Sequence, residues 1–239
     1  MLLADMGAEV IKIEPLSGDL ARAIPPIIDG KSAAFMTLNR NKKSLAIDLK
    51  SNHGRSLTLE ICKSANVIIE NNRPGVMQRL GLGEEEVKKI NNKIVYTSVS
   101  GFGQTGELKN RAGINLIIEA LSGTLSVMGE KGEIPPRPGL QTADILGAMF
   151  ATYSTLAGLI GQIQHNQGMH ADVALIEASI ASAVWETTEY LSSGVVPEQL
   201  GHSHRASAPY QLFETNDKRY IAIGAPSDAH FKRLMNILD

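Results

Sequence analysis

One acidic residue, Asp144, begins a long apolar segment and is the first candidate for chemistry. The segment reads GLQTADILGAMFATYSTLAGLIGQI over residues 139–163, and no charged residue follows Asp144 within it. A carboxylate at the start of a helix accepts backbone N–H hydrogen bonds and complements the helix dipole, so its simplest role is that of an N-cap. The same surroundings keep a carboxylate ionised, which is the state that a nucleophile requires. Taken alone, the residues favour the cap, and the nucleophile is compatible with it.

A glycine-rich stretch, SGFGQTG at residues 100–106, is the second candidate. Gly101, Gly103 and Gly106 have the G-x-G-x-x-G spacing of a dinucleotide site and follow a predicted strand. The next residues, ELKNRAG, are short and charged and do not predict the helix that must receive a pyrophosphate. We therefore interpret the three glycines as a flexible loop over a ligand or as a turn.

Basic side chains near the ends of predicted strands suit an anionic ligand. Lys50, Arg73 and Arg79 lie on the side at which open α/β sheets bind ligands. Pro74 and Gly75 predict a turn between the two arginines, whose guanidinium groups match phosphate. For each of these residues a solvated loop position is the alternative.

Two common kinds of catalytic site have no support. The histidines form no H-E-x-x-H arrangement, and the His202–His204 pair would bind a metal only if carboxylates joined it. No G-x-S-x-G sequence is present, so serine hydrolysis is disfavoured. We predict a site without a metal.

Composition favours a soluble globular protein. The chain has 239 residues, with 43% hydrophobic and 20% charged residues, which is enough to bury a sizeable core. A net charge of -2 argues against nucleic acid as a partner. The single cysteine, Cys62, suits a reducing compartment, and the N-terminal residues lack a signal-peptide pattern, so we predict a cytoplasmic location.

The apolar segment after Asp144 is long enough to need a test as a membrane span. It contains Thr152, Tyr153 and Gln162, and no Lys or Arg flanks it closely. We interpret it as a buried helix and expect no membrane partner.

Alternating strands and helices predict an α/β fold with a Rossmann-like large domain and a mostly parallel sheet. After residue 111 the pattern is helical, over 113–129, 144–164 and 174–194. We place the large domain at 1–200, and a linker with the start of a small α+β domain at 201–239, where a hairpin and a helix opened by Ser227 are predicted. The opening MLLADMG reads as the end of a helix, so we expect the domain's first strand to be missing and the small domain to be truncated. Predicted strands cover 8–14, 44–49, 66–70 and 93–100, and predicted helices cover 54–65 and 84–92.

Six stretches in this order resemble the family III CoA-transferases, the group related to formyl-CoA transferase and carnitine CoA-transferase. The resemblance implies an interlocked homodimer, CoA bound at a domain boundary, and a ping-pong reaction through covalent intermediates on one aspartate, which by position is Asp144. No tightly bound cofactor is implied, since CoA and acyl-CoA are substrates. The stretches are LADMGAEVIKIE, NRNKKSLAIDLK, ENNRPGVMQRLGL, VYTSVSGFGQTG, QTADILGAMFATYSTLAGL and HSHRASAPYQLFET.

The resemblance also implies which residues hold CoA. Lys50 and Arg79 would bind its phosphates, and the glycine loop would supply backbone N–H groups for the oxyanion. An aromatic residue that is common in the family is absent where Asn72 lies, and Pro15 replaces a basic residue. The residues that match CoA contacts by position are Ile47, Lys50, Asn71, Asn72 and Arg79. Arg73 is added as a hydrogen-bond donor to phosphate.

Related α-methylacyl-CoA racemases use a histidine before the ALSG helix, and Ile114 stands there in this chain. Isoleucine moves no proton, so transfer through one carboxylate is favoured over racemisation. A racemase-like isomerase and an inactive CoA-binding fragment remain the alternatives. The segment HSHRASAPYQ resembles members that act on dicarboxylates such as succinate or glutarate, with Arg205 or His204 as the partner of a second carboxylate.

Overall fold

The computed structural model describes residues 1–238, and the chain forms two compact units. The first unit consists of Met1–Ala112 and Gly147–Leu175. The second consists of Gly113–Leu146 and the residues from 176 onward. The domain boundary that the sequence predicts after residue 200 is not tested by this division and stays a prediction.

The chain contains helices and short strands. The predicted strands 8–14, 44–49, 66–70 and 93–100 are present, with ends shifted by at most three residues, whereas two short strands, Ile27–Ile28 and Lys31–Ser32, are not predicted by the sequence. In the first part of the chain the elements are α1 (Leu2–Asp5), β1 (Val10–Glu14), β2 (Ile27–Ile28), β3 (Lys31–Ser32), α2 (Ala33–Asn39), β4 (Lys42–Ala46), α3 (Asn52–Ser64), β5 (Val67–Glu70), α4 (Val76–Arg79), α5 (Glu84–Ile90) and β6 (Val95–Ser100). They are followed by α6 (Asn115–Leu121), α7 (Thr142–His165), β7 (Met169–Ala174), α8 (Leu175–Ser182), α9 (Val184–Ser193), β8 (Tyr210–Glu214), β9 (Tyr220–Gly224) and α10 (Asp228–Leu238).

The first unit is built on parallel strands, which confirms the predicted α/β class and its mostly parallel pairing. β4 pairs in parallel with β1, and β6 lies between β5 and β7 in a three-stranded parallel sheet. All six residues of β6 are buried, as expected of a strand covered on both faces. Tyr96 of this strand forms a core cluster with Cys62, Val87 and Ile94.

Among residues 1–238, antiparallel pairing occurs in two hairpins. β2 and β3 are joined by Asp29 and Gly30, which both have positive φ, as a tight two-residue turn requires. β8 and β9 form the hairpin that the sequence predicts in the second unit, and Ser227 accepts the backbone N–H of His230 at the start of α10.

Two predicted helices are interrupted. The helix predicted over 113–129 ends at Leu121, because Gly123 has a φ of +83° and a short 3-10 turn, Leu125–Val127, follows. The helix predicted over 174–194 starts at Leu175, directly after β7, and breaks at Ala183. β7 itself is a strand that the sequence pattern does not predict.

The prediction that α7 is buried holds for one face only. Small side chains form its buried face, where a Cβ on Gly158 would come within 2.7 Å of Val95 Cγ1, and Thr155 shares a 2.8 Å hydroxyl hydrogen bond with Thr97. By length and composition α7 could cross a membrane, and 28% of its most apolar window is buried. This is weak evidence, because core helices of soluble proteins pass the same test. The large apolar side chains on its exposed face, which we call the α7 stripe, are Ile145, Met149, Tyr153, Leu156, Ile160 and Ile163.

Candidate active site

Asp144 lies in the first turn of α7, in the second unit. The helix begins at Thr142, so the prediction that Asp144 is its N-cap is wrong by position. The backbone N–H of Asp144 donates to Asn115 Oδ1 at 3.2 Å, which fixes this turn against α6. Asp144 is exposed, and we find no hydrogen bond to its carboxylate from any residue in 1–238. Its lone pairs are therefore open to an electrophile.

The surroundings of Asp144 favour its protonated form more than water does. Its pKa is raised above the ordinary 3.8 because nearby protein atoms displace water from the carboxyl and because Glu119 carries a like charge. The expectation that the helix start holds this group ionised is therefore wrong in direction. Once ionised, a more basic carboxylate is a stronger nucleophile.

Glu119, on α6, holds the start of α7. Its side chain is buried, with the residue 1% exposed, and Oε1 accepts the backbone N–H of Thr142 at 3.1 Å and also the Thr142 hydroxyl. Its other oxygen, Oε2, is buried without a hydrogen-bond partner among residues 1–238. In the sequence Glu119 is an acidic residue within the apolar NLIIEAL, near the place of a ribose-binding acid in the disfavoured dinucleotide interpretation, and nothing there predicts its contact with Thr142. Its contact with Thr142 depends on how two helices pack.

Ile114, at the position of the racemase histidine, is 68% exposed and precedes α6 directly. Its side chain has no proton to exchange. In the second unit the charge of Glu119 acts on the Asp144 carboxyl, and position 114 adds no base.

Two predicted CoA contacts follow β4 in the first unit. Ile47 is buried, and its N–H donates to the carbonyl of Glu14 at 2.9 Å. Lys50 is exposed in the turn before α3, with its backbone N–H on Asp48 Oδ1 at 3.0 Å. The Lys50 ammonium forms no ion pair among the described residues, so it is available to an anion.

The other predicted contacts follow β5. Asn71 donates its side-chain N–H to the carbonyl of Val99 at 2.7 Å, which ties this loop to the end of β6. Asn72, Arg73 and Arg79 are exposed. The Asn72 side chain makes no hydrogen bond within 1–238, and its backbone N–H donates to Glu70 Oε2 at 2.8 Å. Both arginines lie beside a turn at Gly75, where φ is +82°.

The glycine loop follows β6, also in the first unit. Gly103 and Gly106 have φ of +84° and +81°, which explains glycine at these two positions, while Gly101 needs no such conformation. The backbone N–H of Gln104 donates to Asp172 Oδ2 at 2.8 Å, so β7 anchors the loop. That N–H is occupied and cannot serve an oxyanion, which leaves the N–H groups of the glycines. The sequence does not single out Asp172, because its partner lies on a loop far away in the chain.

The loops after β5 and β6 lie at the same edge of the parallel sheet. β5 and β6 are neighbours and run in the same direction, so their loops leave the same sheet edge, where ligands bind in open α/β sheets. The first unit therefore brings together the amide, basic and glycine positions that follow β5 and β6. Asp144 belongs to the second unit.

Arg205, proposed as a partner for a second substrate carboxylate, is already paired. Its Nη1 lies 2.8 Å from Glu189 Oε2 and its Nε lies 3.5 Å from Glu186 Oε1. His204 packs on the ring of Tyr210 at 4.7 Å between centroids, and its Nδ1 accepts the N–H of Ala206. Two carboxylates already offset the Arg205 charge, which makes it a poor site for a third.

The second unit also contains an apolar cavity of about 250 Å³. Thr142 and Leu146 line it, and Asp144 lies two residues from each, which is roughly the opposite face of a helix. Asp144 is not among the residues that line this cavity. Its remaining lining residues are Thr124, Met128, Pro138, Ser179 and Ser182. Within residues 1–238, no group of three or more His, Cys, Asp or Glu is placed to hold a metal ion.

The described residues define an α/β protein, with exposed basic side chains in loops of the first unit and an exposed carboxylate at a helix start in the second unit. Comparison with known proteins is more specific. The family model for CoA-transferase family III matches residues 1–239, and the chain belongs to that family.

Curated relatives and a solved structure agree with this assignment. The chain is 36% identical over 241 residues to succinyl-CoA:glutarate CoA-transferase of Mus musculus, covering 100% of the chain and 55% of the relative. It is 36% identical over 245 residues to succinate–glutarate CoA-transferase of Agrobacterium fabrum, covering 99% and 61%. A CAIB/BAIF family protein from Brucella suis has a similar structure, with a TM-score of 0.88 and 33% identity, covering 99% of this chain and 64% of that one. The chain thus spans little more than half the length of the curated relatives that it matches.

Proposed function

We propose that this protein transfers CoA from an acyl-CoA to a carboxylic acid, with Asp144 as the nucleophile. The observation that carries the proposal is the exposed Asp144 carboxylate, which no residue in 1–238 binds, at the fixed first turn of α7. Membership of CoA-transferase family III supports the type of reaction.

The first half of the reaction moves CoA onto the enzyme. An oxygen of Asp144 attacks the thioester carbonyl, the carbon–sulfur bond breaks, and CoA leaves as a thiolate. The product is a mixed anhydride of Asp144 and the donor acid. The thiolate then attacks the Asp144 side-chain carbonyl, the donor carboxylate leaves, and Asp144 carries CoA as a thioester.

The second half repeats these steps with the acceptor. The acceptor carboxylate attacks the Asp144 thioester and releases CoA thiolate, which attacks the acceptor carbonyl of the new anhydride. Acyl-CoA leaves, and Asp144 returns as a carboxylate. Every intermediate keeps the activation of the original thioester, so the cycle needs no ATP and no tightly bound cofactor. Water is the competing nucleophile, and we assign its exclusion to the loop of Gly101, Gly103 and Gly106, whose N–H groups would also stabilise the oxyanions.

Binding of CoA is assigned to the loops after β4 and β5. Lys50, Arg73 and Arg79 would pair with its phosphates, and their exposure in the first unit supports this role. Ile47, Asn71 and Asn72 would line the same site. Asn71 also holds its loop against β6, so it would contribute shape as well as contact.

A dicarboxylate is the acceptor that we propose, because relatives are named for succinate and glutarate. Arg205 is a weak candidate for its second carboxylate, since Glu186 and Glu189 already hold that guanidinium. The location that we propose is the cytoplasm, in keeping with one unpaired cysteine.

We propose a homodimer of the interlocked type around a Rossmann-like large domain. The α7 stripe supports it, because six large apolar side chains on one helix face are seldom left in water.

The test is transfer from succinyl-CoA to glutarate, followed by mass spectrometry of the acyl-CoA products. We expect glutaryl-CoA to form, and much less product with a monocarboxylate such as acetate. Transfer to acetate alone would remove the dicarboxylate proposal. Exchange of the α-proton of a 2-methylacyl-CoA in heavy water, without transfer, would show an isomerase, and absence of both reactions would show an inactive CoA-binding protein.

A further inference from the structure

We propose that Glu119 is a positioning residue for Asp144: it fixes the first turn of α7 and keeps a second negative charge beside the nucleophile. This inference rests on the proposed role of Asp144. Glu119 would touch no substrate, and its effect would reach the reaction only through Asp144.

The positioning part follows from two contacts between α6 and α7. Asn115 and Glu119 are four residues apart, so they share one face of α6. Glu119 Oε1 accepts the N–H and hydroxyl of Thr142, and Asn115 Oδ1 accepts the N–H of Asp144. The first N–H groups of a helix have no partner within it. Two of them are satisfied here from a neighbouring helix, which fixes the backbone that carries the Asp144 side chain.

The charge part follows from the burial of Glu119. A neutral amide could accept the same two hydrogen bonds, whereas a buried carboxylate with one unpartnered oxygen is costly. Its charge acts on Asp144 and, together with loss of water, raises the pKa of that carboxyl. The other α6 group at this turn, Asn115, is neutral, as is Thr142.

The like charge favours the reaction in a specific way. When Asp144 attacks a thioester, its attacking oxygen becomes the neutral bridging oxygen of the anhydride and the negative charge passes to the carbonyl oxygen of the thioester. Repulsion from Glu119 is present before the attack and falls as the attack proceeds, so it destabilises the reactant state more than the transition state. Glu119 would therefore speed the step that forms the anhydride.

The experiment is a titration of the Asp144 carboxyl by carbon NMR of aspartate-labelled protein, with the signal assigned by its absence in Asp144→Asn. Glu119→Gln keeps an acceptor for Thr142 and removes the charge, so we expect the Asp144 midpoint to fall. Glu119→Asp keeps the charge and should keep the midpoint raised. Glu177→Gln, at an exposed position on α8, is the matched control and should leave it unchanged. An unchanged midpoint in Glu119→Gln would overturn the inference.

Two further readouts separate the parts of the proposal. Amide hydrogen exchange at Thr142 should speed up in Glu119→Ala and stay slow in Glu119→Gln, and equal rates in both variants would contradict the cap. Formation of an Asp144 adduct from acyl-CoA should be slower in Glu119→Gln above both midpoints. If wild type forms no adduct while the midpoint still shifts, the proposed function fails and the charge coupling stands. If the adduct forms equally fast in both proteins, the coupling has no catalytic role.

Discussion

Asp144 must lose its proton before it can attack a thioester, so its pKa sets the acidic limit of the proposed reaction. That pKa is raised, and adduct formation should therefore fall off as the pH drops through a midpoint above 3.8. The rate of adduct formation from acyl-CoA, measured from pH 3 to 8 in rapid-mixing experiments, checks this. A midpoint at or below 3.8 would mean that the surroundings favour the ionised form.

Glu14, like Glu119, is a buried carboxylate, and its role is structural. Its carboxylate accepts hydrogen bonds from Arg22 Nη2 at 2.7 Å and Arg22 Nε at 2.8 Å. It also accepts hydrogen bonds from the N–H of Asp19 at 2.9 Å and from the Ser44 hydroxyl. We expect Glu14→Gln to lower the free energy of unfolding by about 1–2 kcal/mol, less than for a fully buried pair because the Arg22 side chain is 46% exposed. Denaturant unfolding measures it, with the exposed Glu9→Gln as the control.

The pH dependence of stability gives a second check on Glu14. Its pKa lies far below the ordinary 4.5, chiefly because Arg22 and Ser44 donate to the ionised form. The Glu14 contribution is therefore present above pH 4.5 and is lost as the pH falls from there toward the folded-state value. Wild type should lose stability over that acidic range more steeply than Glu14→Gln, and parallel curves would contradict the assignment.

At this scale the sequence predicts Asp144 and the CoA-contact positions, because motif order carries them. It does not predict Glu119 as the partner of Thr142, since 23 residues separate them and only packing of α6 on α7 joins them. The sequence likewise does not reveal the ion pairs of Arg205. Its partners, Glu186 and Glu189, lie on a separate helix.

Among the elements, α7 depends on glycine where it crosses the strands of the first unit. A Cβ at Gly158 would meet Val95 Cγ1 at 2.7 Å and Met169 Cε at 2.9 Å, so Gly158→Ala should destabilise the protein by about 1–3 kcal/mol. Gly161, on the same helix, has open space around it, and Gly161→Ala should be neutral or stabilising by up to about 1 kcal/mol. Thermal unfolding of the two variants measures both effects, and equal midpoint temperatures would contradict close packing at Gly158.

β7 holds the glycine loop through Asp172. Asp172→Ala removes the acceptor for the Gln104 N–H, so amide exchange at Gln104 should become faster, while Asp172→Asn keeps an acceptor and should retain most of the protection. Hydrogen exchange followed by mass spectrometry over the loop measures both. Equal exchange in wild type and Asp172→Ala would show that the anchor does not control the loop.

The parallel strands β1, β4, β5 and β6 could be predicted because their apolar residues are bounded by turn residues and helices. β7 could not. The side chains at its buried positions include Ala171 and Val173, which are short. Because α8 follows without a turn residue, the sequence pattern does not separate the strand from the helix.

For the whole molecule, the α7 stripe is the feature that the proposed dimer must account for. Replacing Ile160 and Ile163 by Glu should shift the protein toward monomer in sedimentation velocity experiments, because charge is costly in an apolar contact. Gln164→Glu, an exposed neighbour outside the stripe, should leave the assembly unchanged. A dimer that survives the double substitution would place the interface elsewhere.

The most direct measurement is the identity of the residue that becomes covalently modified. The protein is incubated with succinyl-CoA, trapped with hydroxylamine, digested and sequenced by mass spectrometry. We expect a hydroxamate at Asp144, absent in Asp144→Asn and retained in Glu177→Gln. A protein that transfers CoA while Asp144 stays unmodified, or an Asp144→Asn variant that transfers at the wild-type rate, would contradict it.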